Sequence, residues 1–249
     1  MGGTTLRRIP KHVRDELTPL GQIVSGESAG CEIRFGTEAN NFTISLSCEN
    51  NGLSPHEVMC PDVLIMKGGF IHKHLKLEPG RVHSININDI TEAQKNAFAA
   101  LKPAARQAGG FSSGVWRILM GRGTFTFHGL NTYGYTCRQP DAAELPQSQY
   151  LSYGSSITNG ATPSAYHLSY VQTYARCLKA DVYNLGLSGS CHCEKAMADW
   201  LAERDDFKAA TLELGVNMRV AFTPEEFAER AYYLIDQMIA AHPSKPIYL

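Results

Sequence analysis

Three segments in the second half of the 249-residue sequence hold residue types suited to acyl transfer. They are Gly154-Ser155-Ser156-Ile157-Thr158, Gly186-Leu187-Ser188-Gly189-Ser190 and Gly215-Val216-Asn217-Met218. A serine hydroxyl can attack an acyl carbon. A backbone N–H beyond a glycine-rich turn and a side-chain amide can donate to the oxyanion that develops. The amide of Asn217 donates without changing charge, so it suits both half-reactions. Serine is a weak nucleophile near neutral pH and needs a neighbouring base. Taken singly, each residue has a plainer reading: a capping serine, a turn glycine, a turn asparagine.

The elements that would position these residues follow from a change in hydrophobic period. Up to about residue 136, short alternating runs such as NFTISLS, RVHSINI and GTFTFHG are broken by Asn50-Asn51-Gly52, Gly68-Gly69, Pro79-Gly80 and Gly109-Gly110. This pattern predicts a β-sandwich over residues 1–140. TEAQKNAFAALKPAARQ is expected to be helical until Pro103, and residues 137–149, with two prolines, read as a linker. From residue 147 strands and helices alternate. Strands are expected at 150–153, 182–187 and 210–214 and from 246, with helices at 164–179 and 193–204 and from 223. The first helix should bury Tyr170, Val171, Tyr174, Cys177 and Leu178. The last opens with the capping box Thr223-Pro224-Glu225-Glu226 and should bury Phe227, Leu234, Ile235, Met238 and Ile239. Alternation of this kind calls for a parallel sheet with right-handed crossovers. Ligands bind beyond the carboxyl ends of such strands, where all three segments fall.

Composition narrows the partners. Hydrophobic residues make up 43% and charged residues 19%, as in soluble globular proteins. A net charge of −1 gives no field for nucleic acid or an anionic membrane. No basic segment at the amino terminus precedes an apolar h-region, so no secretory signal is expected. Seven cysteines without a framework predict free thiols and a cytoplasmic setting. Asn41-Phe42-Thr43 then matches a glycosylation acceptor by chance. No cofactor and no metal are expected. Cys191-His192-Cys193 invites a zinc reading, but such close neighbours cannot close around one tetrahedral ion. His192 is instead a candidate substrate contact at the site mouth. A base role for it is less favoured, because a helix N-terminus opposes imidazolium. His72, His74, His83 and His128 are read as solvent-facing, Trp116 as core, and Glu213 and Arg219 as a surface pair.

In their order, the blocks YGSSIT, NLGLSG and ELGVNM resemble the SGNH (GDSL-type) hydrolase superfamily. The resemblance covers residues 147–249 and implies a flavodoxin-like three-layer α/β domain. It implies Ser156 as nucleophile, and Ser156 N–H, Gly189 N–H and Asn217 as oxyanion donors. More loosely, the first half is similar to the jelly-roll domain that precedes the hydrolase domain in a subset of the superfamily. Two departures stand out. Ser155 replaces the usual aspartate of the first block. The Asp-x-x-His block that the resemblance implies is absent, and the sequence ends at Leu249 in the fourth strand, so the α/β domain is expected to be incomplete at its carboxyl end. The implied chemistry is hydrolysis of small acyl esters, acetylated carbohydrates among them, through a Ser156 acyl-enzyme. An acyltransferase of the same family and a non-catalytic carbohydrate-binding protein are the alternatives.

Overall fold

The computed structural model describes residues 2–50, 61–88, 91–101, 107–161 and 163–249, the side chain of Phe98 excepted. The chain opens with strand β1 (Thr4–Thr5) and two short helices, α1 (Lys11–Asp15) and α2 (Pro19–Ser25). Thr18 caps α2 by accepting from Gly21 N, and Pro19 sits where a helix needs no N–H. Strands β2 (Glu32–Thr37), β3 (Phe42–Glu49), β4 (Asp62–Lys67), β5 (Phe70–Lys76) and β6 (Val82–Ile87) follow. Helix α3 (Glu92–Ala100) matches the expected alanine-rich helix, and Pro103 lies outside the described residues. Strands β7 (Val115–Met120), β8 (Thr124–Asn131) and β9 (Cys137–Arg138) complete the first half.

These strands form two antiparallel sheets, in the orders β1-β8-β3-β6 and β5-β4-β7-β2-β9. Strict alternation along β3 buries Phe42, Ile44, Leu46 and Cys48, while their neighbours stay half-exposed. These side chains meet Phe35, Val63, Ile65, Trp116, Ile118 and Phe125 in a core shared by both sheets. Trp116 is fully buried against Phe42, as a core residue should be. The sheet histidines meet the solvent-facing expectation only in part. His74 is exposed, with Nε2 3.2 Å from Asp62 Oδ1. His72 is half-buried, its ring edge-on to Trp116 at 5.4 Å.

The second half contains strand β10 (Gln149–Gly154), helix α4 (Ser156–Asn159), helix α5 (Tyr170–Leu178), strand β11 (Asp181–Gly186) and helix α6 (Lys195–Glu203). Strand β12 (Ala209–Glu213), helix α7 (Pro224–Ala241) and strand β13 (Ile247–Tyr248) finish it. The four strands are parallel, in the order β11-β10-β12-β13. The capping box forms: Thr223 accepts from Glu226 N, and Glu226 accepts from Thr223 N. On α7, Leu234 and Met238 are fully buried, but Ile239 is 53% exposed. Helix α5 starts only at Tyr170, because Ser169 caps it and a tighter turn occupies Tyr166–Leu168. Its buried face is Val171 and Ala175, packed on Tyr150 and Ala180. The expected stripe is wrong: apart from Val171, Tyr170, Tyr174, Cys177 and Leu178 are all exposed. Small residues let this helix lie close to the sheet, so the bulky ones turn away.

The amino-terminal arm crosses between the two halves. Strand β1 pairs with β8. Yet Ile9, Val13, Leu17 and Val24 are buried in the core of the second half, with Tyr153, Leu187, Met197, Leu201 and Leu234. The sequence reading assigned all of residues 1–140 to the sandwich. Helices α1 and α2 were missed because they are shorter than a periodic window.

A charged network joins the halves. Arg117 Nε donates to Glu32 Oε2 at 2.9 Å, Arg34 Nε donates to the same atom at 2.7 Å, and Arg34 Nη2 donates to Asp181 Oδ1 at 2.6 Å. Burial alone would raise the Glu32 pKa, but the two guanidinium groups outweigh it and hold the carboxyl at about 2, against 4.5 ordinarily. A value lowered by folding stabilises the native state above the ordinary carboxylate range, and that contribution fades as pH falls from 4.5 toward 2. Glu32→Gln should therefore be less stable than the parent at pH 7, by about 3 kcal/mol. The gap in urea midpoint should close as pH approaches 2. A gap independent of pH would contradict this account.

Candidate active site

Parallel register brings the three segments to one end of the sheet. Gly154 pairs with Gly186 on one side and with Glu213 on the other. The chain leaves each of these strand ends into one of the candidate segments. Close packing needs glycine at one of them: a Cβ on Gly186 would lie 2.2 Å from Asn159 N. Helix α4 therefore sits directly on the end of β11, and Asn184 Nδ2 donates to Thr158 O at 2.8 Å.

The paired serines divide into two roles. Ser155 is fully buried and caps α4, accepting from Ile157 N at 3.2 Å. Its Oγ donates to Glu213 Oε2 at 2.6 Å, and its N–H donates to the same oxygen at 2.7 Å. Thr158 Oγ1 donates there too, at 3.2 Å. Glu213 is thus an inward-facing acceptor. The expected surface pair with Arg219 does not describe it. Ser156 is half-exposed, and its hydroxyl has no hydrogen-bond partner among the described residues. Its N–H stands at the first position of α4, where helix geometry provides no acceptor.

Gly189 is exposed and has φ +68°, a conformation that disfavours a side chain. Asn217 is half-buried. Its Oδ1 accepts from Cys191 N at 3.1 Å, which ties the second loop to the third. That bond leaves Nδ2 as a donor without a partner among the described residues. Ser156, Gly189 and Asn217 thus sit on loops from adjacent strand ends. His192 lies farther along the second loop with its side chain 13% exposed. Its ring stands 5.1 Å from Phe222, its Nδ1 is 3.7 Å from Glu194 Oε1, and its carbonyl accepts from Arg230. No group of three or more His, Cys, Asp or Glu residues among the described ones could hold a metal ion.

The sequence reading missed the contribution of the amino-terminal arm. Thr18 Oγ1 lies 3.3 Å from Ser190 Oγ. A Cβ on Gly21 would meet Ser190 Oγ at 2.8 Å, and one on Gly189 would meet Leu20 Cδ2 at 3.4 Å. Helix α2 therefore walls the second loop, and Leu20, 37% exposed, presents apolar surface beside Gly189. Nothing in the local pattern of KHVRDELTPLGQIVS announces a partner some 170 residues away.

Ser155 and Glu213 are chemically matched, because a hydroxyl can donate where a second carboxylate would repel. Ser155→Asp should destabilise the protein by about 2–4 kcal/mol at pH 7. Adding Glu213→Gln should recover most of that loss in thermal unfolding. Equal stability of Ser155→Asp and the parent would refute the pairing.

The profile described as the GDSL-like lipase/acylhydrolase family matches residues 148–249. No curated protein matches the chain. Among solved structures, a protein described as a GDSL-like lipase from Bacteroides ovatus is 20% identical, with a TM-score of 0.69 over 97% of this chain and 66% of that one. A salicylyl-acyltransferase from a tetracycline biosynthetic pathway is 14% identical, with a TM-score of 0.74 over 97% of this chain and 63% of that one. A family two carbohydrate esterase from Clostridium thermocellum, solved with cellohexaose, is 14% identical, with a TM-score of 0.57 over 88% and 70%. The chain spans slightly less than two thirds of the first two structures. At these identities the likeness establishes the fold. No helix among the described residues is long and apolar enough to cross a membrane. The α/β half, residues 148–249, thus matches the GDSL-like lipase/acylhydrolase family, and nearly the whole chain shares its fold with these solved structures.

Proposed function

We propose that this chain is an acyl-transfer protein acting on small acyl esters, with Ser156 as the acyl-accepting nucleophile. The observation that carries this reading is the contrast between the two serines. Ser155 is buried and committed to Glu213, while Ser156 is accessible and its hydroxyl is uncommitted. In the proposed step, Ser156 Oγ attacks the ester carbonyl and loses its proton to a solvent water. The Ser156 N–H, the Gly189 N–H and Asn217 Nδ2 donate to the tetrahedral oxyanion. Collapse expels the alcohol, which takes up a proton, and leaves the acyl group on Ser156. Water then releases the acid in a hydrolase. The residues of this sequence contain no Asp-x-x-His to serve as the base. The proposal assigns the chain the nucleophile and the oxyanion donors, and the acylation rate becomes the measure of proton removal.

We take residues 147–249 as the catalytic unit and the jelly-roll-like sandwich as an accessory that helps to present substrate. His192 is assigned to substrate contact at the mouth. Acylated carbohydrate is the favoured substrate class, in keeping with the fold shared with a carbohydrate esterase. Free thiols at the six described cysteines suit a reducing, cytoplasmic setting.

A fluorophosphonate should label Ser156, and Ser156→Ala should abolish that label in peptide mapping. Asn217→Ala should slow labelling by about 10²–10³-fold. A folded chain that resists labelling, or is labelled elsewhere, would sink the assignment. The likeness to an acyltransferase supports a second reading, in which another acceptor replaces water. With 4-nitrophenyl acetate, an added sugar alcohol would then gain the acetyl group at the expense of free acetate. Unchanged acetate release would favour the hydrolase.

A further inference from the structure

Glu27, just beyond α2, is fully buried. Its Oε2 accepts from Asn159 Nδ2 at 2.8 Å. Its Oε1 lies 3.4 Å from Nη2 of Arg122, in the turn between β7 and β8. Asn159 Nδ2 also donates to Ser188 Oγ at 3.0 Å. Asn159 is the last residue of the helix that Ser156 begins, and Ser188 precedes Gly189. The backbone of Glu27 is pinned as well. Its carbonyl accepts from Arg8 Nε at 3.0 Å, while Arg8 Nη1 donates to Asn184 O and Gly186 O at 2.8 and 2.9 Å.

A buried carboxylate is costly unless a cation and hydrogen bonds meet it, and an apolar residue would fill the same space at lower cost. Its position gives it a use. One amide group, Asn159, spends its two N–H bonds on Glu27 and on the oxyanion loop. We infer that Glu27 is a positioning residue: its carboxylate, anchored by Arg122 of the sandwich, orients Asn159 and so fixes the nucleophile helix against the Ser188–Gly189 loop. The arrangement would make the sandwich a part of the acylation machinery in addition to any role in presenting substrate. This inference rests on the Ser156 reading above, but one arm of its test does not.

The variants are Glu27→Gln, the reciprocal pair Glu27→Gln with Asn159→Asp, and Ser188→Ala. In the reciprocal pair, the carboxamide now at position 27 can accept from Arg122 and donate to the carboxylate now at position 159, which can accept from Ser188. Hydrogen–deuterium exchange is read over residues 154–160 and 186–191, with β3, β8 and α7 as references. Glu27→Gln should raise exchange in those two segments by about 10-fold and leave the references protected. It should also slow fluorophosphonate labelling of Ser156 by about 10-fold or more. The reciprocal pair should restore both. Ser188→Ala should loosen 186–191 alone. Unchanged exchange at both segments, a rise shared equally by the references, or a reciprocal pair no better than Glu27→Gln would overturn the inference. If the parent chain takes no label at Ser156, the acyl-enzyme reading falls while the exchange arm still decides the role of Glu27.

Discussion

The register of three parallel strands governs this molecule. Gly154 lies between Gly186 and Glu213, and from that alignment the candidate loops gain their proximity. A shift of one residue would turn Tyr153 and Leu185 out of the core and carry Ser155 away from Glu213. Glycine at 186 lets α4 rest on the end of β11. Side-chain bonds then lock the loops: Ser155 to Glu213, Asn184 to Thr158, and Asn217 to Cys191. Backbone hydrogen bonding thus sets the coarse geometry, and a few buried polar side chains refine it.

Much of the second half was legible because its signals are local. Four apolar runs, a proline-led capping box and glycine-rich strand ends each fall within a short window, and the structure has strands and helices at those places. The blocks that carry the family resemblance are of the same kind. What escaped the sequence depends on distant partners. The stripe assigned to α5 followed hydrophobicity, but Val171 and Ala175 fit the narrow space over Tyr150 and Val182 better than tyrosine does. Glu213 looked like a surface carboxylate until the strand ends came together around it. Glu27 and Leu20 gave no sign at all, since their meaning lies in residues 159 and 189.

The Ser155–Glu213 contact also clarifies a departure from the family pattern. Read alone, serine in place of aspartate looks tolerable, since that position is not the nucleophile. In the fold it is matched to its surroundings: Glu213 of β12 supplies the carboxylate, and the first block supplies the hydroxyl and the N–H. The turn that presents Ser156 keeps an anionic acceptor at its base.

The amino-terminal arm gives the fold an unusual seam. A boundary drawn in the linker near residue 145 would separate the sheets cleanly on paper. It would also strand Ile9, Val13, Leu17 and Val24 on the wrong side of the cut, leaving their hydrophobic neighbours wet. The two halves are therefore not interchangeable cassettes. Recombination that swaps one sandwich for another must keep an edge for strand β1 to pair with, and must keep the apolar residues at 9, 13, 17 and 24 over the α/β half.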